Sequence, residues 1–229
     1  MKRTLGLLVT VLMASQFSVS ASAADTAAQL EQRSQAAANV IREITQIADS
    51  SIPQSLLDHA TCIATVPNMI RAGFVFGARY GKGLASCRVP GGWSQPSFLT
   101  VTGGSWGLQA GVESTDLILV FVRPNAAARL SQSNFTLGGQ ASAAAGPVGR
   151  NAEAGTDYQL KSEIYAYSRS RGLFAGLTIE GTSIAVDTAA NAEMYGQGAE
   201  ASKVLHSEST GRASSNPYVR ELSAAAPTR

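Results

Sequence analysis

Side chains suited to metal binding or to proton transfer near neutral pH are scarce in this sequence, which holds two histidines, His59 and His206, and two cysteines, Cys62 and Cys87. Their spacing matches no zinc site, and the scattered acids form no calcium-loop series. No metal and no cofactor are therefore expected. Charge is thin as well. Charged residues make up 15% of the chain, with 18 Lys+Arg against 16 Asp+Glu. That near balance excludes the strong basic footprint of a nucleic-acid binder. Long apolar runs are also missing. The stretches Leu5 to Ala14 and Leu117 to Val122 fall well short of the roughly 20 residues a membrane-spanning helix needs.

What is present begins with a leader pattern. Lys2 and Arg3 precede the apolar stretch Leu5 to Ala14, and Ala21-Ser22-Ala23 supplies the small-x-small signature of signal-peptidase cleavage. Residues 1–23 read as a signal peptide cut after Ala23, so the chain is expected to be exported, periplasmic or secreted. Removing the leader takes away both excess positive charges and leaves a formally neutral chain. In an oxidising compartment Cys62 and Cys87 are expected to pair. Each lies in a short β-like run, and neighbouring strands would bring them within bridging distance. Two buried free thiols are the alternative.

Hydrophobic periodicity organises the rest. Val40, Ile41, Ile44 and Ile47 recur at helical spacing, predicting a helix over residues 25–50, and Leu56, Leu57 and Ala60 predict a short second one. From Cys62 the pattern changes to strands. Ala72 to Tyr80 and Gly83 to Val89 read as a hairpin turning at Gly81-Lys82. Phe98 to Thr102, Gly107 to Val112 and Leu117 to Val122 follow. The last is continuously apolar and is expected to be central. Weak strands are expected between Phe135 and Tyr158, firmer ones at Glu163 to Ser168, Leu173 to Glu180 and Ser183 to Val186, and a short helix at Asn191 to Tyr195. Glycines spaced by four, such as Gly73, Gly77 and Gly81, predict a sheet that bends sharply. The expected fold is α+β: a strongly curved, mostly antiparallel, glycine-rich sheet or small barrel with an N-terminal helix packed on it. Its parts are a helical segment at 24–60, a β-rich core at 61–207 and a disordered tail at 208–229, where Ser, Ala, Pro and Thr show no period.

Two strings imitate catalytic motifs. Gly103-Gly104-Ser105-Trp106-Gly107 matches a nucleophile elbow, yet the following segment reads as strand and no histidine is near in sequence. Gly77-Ala78-Arg79-Tyr80-Gly81-Lys82-Gly83 resembles a phosphate loop, but its glycine spacing is one short and Gly83 stands where a magnesium-binding hydroxyl belongs. No enzyme is expected. Arg79, Lys82, Arg150, Arg169 and Arg171 fall at expected strand ends or turns, where guanidinium groups can grip phosphate. Keeping turns soluble is the alternative role.

Several blocks together resemble the SYLF domain, also called the Ysc84 actin-binding domain. They are Gly73-Phe74-Val75-Phe76-Gly77-Ala78-Arg79-Tyr80-Gly81-Lys82-Gly83, Gly92-Trp93-Ser94-Gln95-Pro96-Ser97, Gly107-Leu108-Gln109-Ala110-Gly111, Ser114-Thr115-Asp116, Gly146-Pro147-Val148-Gly149-Arg150 and Tyr167-Ser168-Arg169-Ser170-Arg171-Gly172-Leu173-Phe174-Ala175-Gly176. The resemblance runs from about Ala36 to Gly196. It implies a lipid-binding module, whose eukaryotic members bind phosphoinositide membranes through a lysine-rich amphipathic N-terminal helix. The matching helix here carries only Arg33 and Arg42 as bases.

The leading expectation is a non-enzymatic binder of acidic phospholipid, peripheral to a membrane of the cell envelope. Positive turns would meet phosphate while the apolar face of the helix enters the headgroup layer. An exported chain is not expected to meet actin. A structural or protein-interaction module of the envelope is the alternative.

Overall fold

The computed structural model describes residues 25–46, 52–73, 76–106, 111–148, 161–170, 173–177, 179–208 and 211–227. The elements in chain order are α1 (Ala27–Gln46), α2 (Gln54–Asp58), β1 (Cys62–Gly73), β2 (Phe76–Val89), β3 (Gly92–Trp93), β4 (Ser97–Trp106), β5 (Gly111–Phe121), α3 (Pro124–Arg129), β6 (Asn134–Thr136), β7 (Ala143–Ala145), β8 (Ile164–Ser170), β9 (Leu173–Gly176), β10 (Thr182–Val186), α4 (Thr188–Tyr195), α5 (Ala201–Leu205), α6 (Gly211–Ser215) and α7 (Pro217–Ala225).

Eight strands run in the order β6-β10-β4-β2-β1-β5-β8-β7, with β3 added beside β2 and β9 beside β8. All pairs are antiparallel except β7 with β8. The sheet curls into a half-barrel, as the glycine content predicts. Leu117 to Phe121 lies between β1 and β8 and is fully buried, so the continuous apolar run is central.

Alternation along the strands gives each sheet face its own core. On one face Ile63, Leu84, Phe98, Ile118 and Tyr167 pack against Leu30, Ile41 and Ile44 of α1 and against Tyr218 and Leu222 of α7. On the other, Val66, Leu99, Val101, Leu117 and Leu119 pack against Ala126, Phe135 and Leu205. Helix α1 starts with a reciprocal cap: Thr26 N–H donates to Gln29 Oε1 at 2.8 Å, and Gln29 N–H donates to Thr26 Oγ1 at 3.4 Å. Cys62 and Cys87 are direct cross-strand partners and form the expected disulfide.

Two local expectations are corrected. Gly81-Lys82 is not a turn, because β2 runs unbroken from Phe76 to Val89. The hairpin reverses further out, where Gly73 pairs with Gly77. Gly81 and Gly83 instead receive a bulge in β1, where the pairing shifts between Val66 and Met69 and Asn68 adopts φ 51°. A Cβ on Gly83 would stand 2.4 Å from the Thr65 carbonyl oxygen, and one on Gly81 would stand 2.6 Å from Val66 Cγ1.

The tail expected to be disordered from residue 208 is helical in α6 and α7. Asn216 caps α7 by accepting from Tyr218 N–H at 3.0 Å, with Pro217 in the first turn. Tyr218 is 0% exposed, and its hydroxyl donates to the Ile63 carbonyl at 3.0 Å. The Ala226 carbonyl accepts from the Trp93 indole N–H at 3.0 Å. Small residues conceal this helix in the sequence, but its apolar positions face the core.

Candidate functional site

Of the basic residues expected to gather around phosphate, the three that are described, Arg79, Lys82 and Arg169, do not share a patch. Arg79 and Lys82 are three apart on one strand and so point to opposite faces of the sheet. Lys82 joins a cluster that binds α1 to the sheet: its Nζ lies 2.6 Å from Asp25 Oδ2 and 4.0 Å from Asp187 Oδ2. Arg33 bonds Asp25 and lies 3.8 Å from Asp187 Oδ2. Burial alone would raise the Asp25 pKa, but the bonds from Lys82 and Arg33 outweigh it and hold the carboxyl below its usual range. Arg169 is likewise engaged, donating from Nε at 2.9 Å and from Nη2 at 2.7 Å to Asp116 Oδ2 and pairing with Glu43 of α1. Arg79 is buried. Arg150 and Arg171 lie outside the described residues.

The apolar face of α1 is also committed. Leu30, Ala37, Ala38, Val40, Ile41 and Ile44 are buried in the core, so that face does not enter a headgroup layer in this fold. Neither imitation motif gains support. The backbone of Ser105 lies inside β4 rather than at a strand–helix turn. His59 and His206 each bond a carbonyl four residues back, of Ser55 and Ser202. Among the described residues no group of three or more His, Cys, Asp or Glu could hold a metal, and no helix is long and apolar enough to cross a membrane.

What the sheet does offer is an open face that sequence reasoning missed. Beyond α1, the outer halves of β5, β1, β2 and β4 continue on the same side of the sheet. Ser114, Ile70, Tyr80 and Thr102 form one cross-strand row, and Val112, Ala72, Ala78 and Gly104 form the next. All eight are exposed and none is charged. Ile70 and Tyr80 are each 49% exposed and Val112 is 77% exposed. Single exposed apolar residues are ordinary on a protein surface, but here Ile70, Ala72, Ala78, Tyr80 and Val112 lie next to one another on adjacent strands. The signal lay in Ala72, Ala78, Tyr80 and Val112 falling at alternate strand positions, but it becomes visible only once register is known.

The sequence model of the Ysc84 family, described as Las17-binding protein actin regulator, matches residues 102–226. The chain belongs to this family. It is 35% identical over 175 residues to SH3 domain-containing YSC84-like protein 1 of Xenopus laevis, covering 73% of this chain and 52% of that protein. It is 34% identical over 202 residues to Protein YSC84 of Saccharomyces cerevisiae, covering 84% of this chain and 43% of that protein. LAS seventeen-binding protein 3 of Saccharomyces cerevisiae is 36% identical over 162 residues, covering 69% of this chain and 35% of that protein. The chain thus spans about half the length, or less, of the curated relatives named. The family match extends through α7, consistent with the tail being part of the fold. The family is described by Las17 binding and actin regulation rather than by catalysis, and that description overturns the expectation that actin is foreign to this chain.

Proposed function

We propose that this chain is a non-enzymatic docking module whose contact surface is the open outer face of the β5-β1-β2-β4 sheet, and whose partner is a protein of the actin-regulating machinery. The observation that carries this reading is the uncharged double row centred on Ile70, Tyr80 and Val112. The surface is built on paired strands, so little conformational entropy is lost on docking. Tyr80 is the kind of half-exposed aromatic that anchors protein interfaces. The family description and the name of one yeast relative make actin and Las17 the partners to test first. Co-sedimentation of the full chain with actin filaments, and titration of immobilised Las17, are expected to show binding. Tyr80→Asp and Val112→Asp should each weaken it by about ten-fold or more, because an apolar contact is lost and a carboxylate is desolvated. Binding unchanged by both substitutions, or absent from both partners, would contradict the proposal.

Recognition of acidic phospholipid is a second reading, and one observation favours it: Arg71 and Arg79 make no ion pair among the described residues, unlike Lys82 and Arg169. Vesicles containing phosphatidic acid should then bind more tightly than neutral ones, with a loss at high salt. Equal binding to both would count against it.

Export to a periplasmic or secreted location, with removal of residues 1–23, is the reading of the leader that competes with actin docking, because an exported chain would not meet actin. The Cys62–Cys87 bridge supports passage through an oxidising compartment. N-terminal sequencing of the purified protein should begin at Ala24; retention of Met1 would refute it.

A further inference from the structure

The open outer face of the sheet is stepped. Ile70 of β1 and Tyr80 of β2 form a wall, and the next row outward is low, with Ala72, Ala78 and Gly104 on β1, β2 and β4. A Cβ added to Gly104 would meet nothing within 4 Å. Val112 of β5 closes one end of this trough. From β5 to β4 it crosses three strand spacings, about 14 Å. Side chains this short let an apolar segment bring its backbone close to the sheet.

The chain itself delivers an uncharged segment to the border of the trough. Asp25, two residues before α1, has its Oδ2 2.6 Å from Lys82 Nζ and is also bonded by Arg33. Lys82 lies two residues from Tyr80 on β2, on the same face and about 7 Å away along the strand. Residues 1–24 therefore join the fold where α1 ends and the open face begins. Within them Leu5-Gly6-Leu7-Leu8-Val9-Thr10-Val11-Leu12-Met13-Ala14 carries no charge. Docking on the actin machinery and export exclude each other, so a chain that docks keeps this run. In water such a run is driven onto apolar surface, and it is too short to span a bilayer. Ten residues coiled as a helix measure about 15 Å, the length of the trough. The ten residues from Ser15 to Ala24 reach about 33 Å when extended, enough to lay the run along any part of it. A tether this short gives an effective concentration on the order of millimolar, so even a weak contact is well populated.

We infer that Leu5 to Ala14, where retained, lie in the outer trough of their own sheet and compete with the docking partner for it. The inference rests on the docking reading for retention of the run, and it adds a regulator to that surface. A tethered competitor weakens partner binding without abolishing it, and removal of residues 1–23 opens the face.

A nitroxide on Thr10→Cys of the full chain tests the contact directly, because Cys62 and Cys87 are paired and leave the introduced thiol to take the label. The amide signals of Ile70, Ala72, Ala78, Tyr80 and Val112 should broaden, while those of Trp93 and Ala226, at the opposite end of β2, should not. Leu8→Asp combined with Leu12→Asp lies ahead of every described element, so the fold is left alone. The pair should abolish the broadening, since two carboxylates would have to be desolvated in the trough. It should also tighten binding of actin filaments or Las17 by about ten-fold. Broadening of the face with no binding of either partner, by either chain, would refute docking and leave the cover standing. No broadening of the face, or broadening that persists with Leu8→Asp and Leu12→Asp, would overturn the inference. So would an unbroadened face in a chain that sediments with phosphatidylcholine vesicles only while Leu8 and Leu12 are intact, which would assign the run to a membrane.

Discussion

Replacing Tyr218 tests whether the C-terminal helix is part of the fold. Its ring is fully buried between α1 and the sheet, and its hydroxyl donates to the Ile63 carbonyl while lying 3.1 Å from Thr65 Oγ1. Tyr218→Phe keeps the ring and removes the hydrogen bonds. It should cost about 1–2 kcal/mol, since one net hydrogen bond is lost and Thr65 Oγ1 loses a buried neighbour. Tyr218→Ala removes the ring as well. By comparison with other large-to-small aromatic substitutions it should cost about 3–5 kcal/mol, part of it from the cavity left behind. Urea unfolding followed by tryptophan fluorescence reads both, because Trp93 lies in the same core and bonds the Ala226 carbonyl. The midpoints should fall in the order wild type, Phe, Ala at unchanged m. If Tyr218→Ala lies within about 0.5 kcal/mol of wild type, as for an ordinary surface change, α7 does not hold the fold together.

Other perturbations have equally definite outcomes. Asp25→Asn should lower stability near neutral pH by about 1–3 kcal/mol, because two charge-assisted bonds lose their acceptor charge. As the native Asp25 pKa is lowered, its contribution is present above the ordinary carboxylate pKa and is lost as pH falls through the folded value. The variant's unfolding midpoint should therefore fall less steeply on acidification than that of wild type, and parallel acid limbs would refute the cluster. Gly83→Ala should cost about 1–3 kcal/mol by forcing β2 away from the Thr65 carbonyl; a neutral result in thermal unfolding would contradict the close approach at the bulge. Replacing both Cys62 and Cys87 by alanine opens a link with a sequence separation of 25 and should cost roughly 3–4 kcal/mol in the chain-entropy picture. Unchanged stability of the double variant would show that the bridge does not constrain the unfolded chain.

Much of the architecture was legible because local pattern and tertiary role agree. The continuous apolar run at Leu117 to Val122 marks the strand buried on both faces, and Cys62 and Cys87 lie in β-like runs that prove to be direct neighbours. The hairpin turn was misplaced because Gly81-Lys82 has turn chemistry, while the reason for Gly81 and Gly83 is a bulge on the adjacent strand. The tail was misread because alanine and serine dilute the spacing of Tyr218, Val219 and Leu222, although Asn216-Pro217 is a helix-start signal. The basic site was least legible. Residue type and turn position do not reveal that Lys82 and Arg169 meet carboxylates from α1, its leading residues and β5. Nor does sequence show that Arg71, on another strand, stands beside Arg79.

Amide hydrogen exchange of the full chain, alone and bound to actin filaments, tests the docking surface most directly. Slowed exchange confined to residues 70–72, 78–80, 102–104 and 112–114 is the expected result. Slowing centred on α1 or α7, with those four segments unchanged, would contradict it.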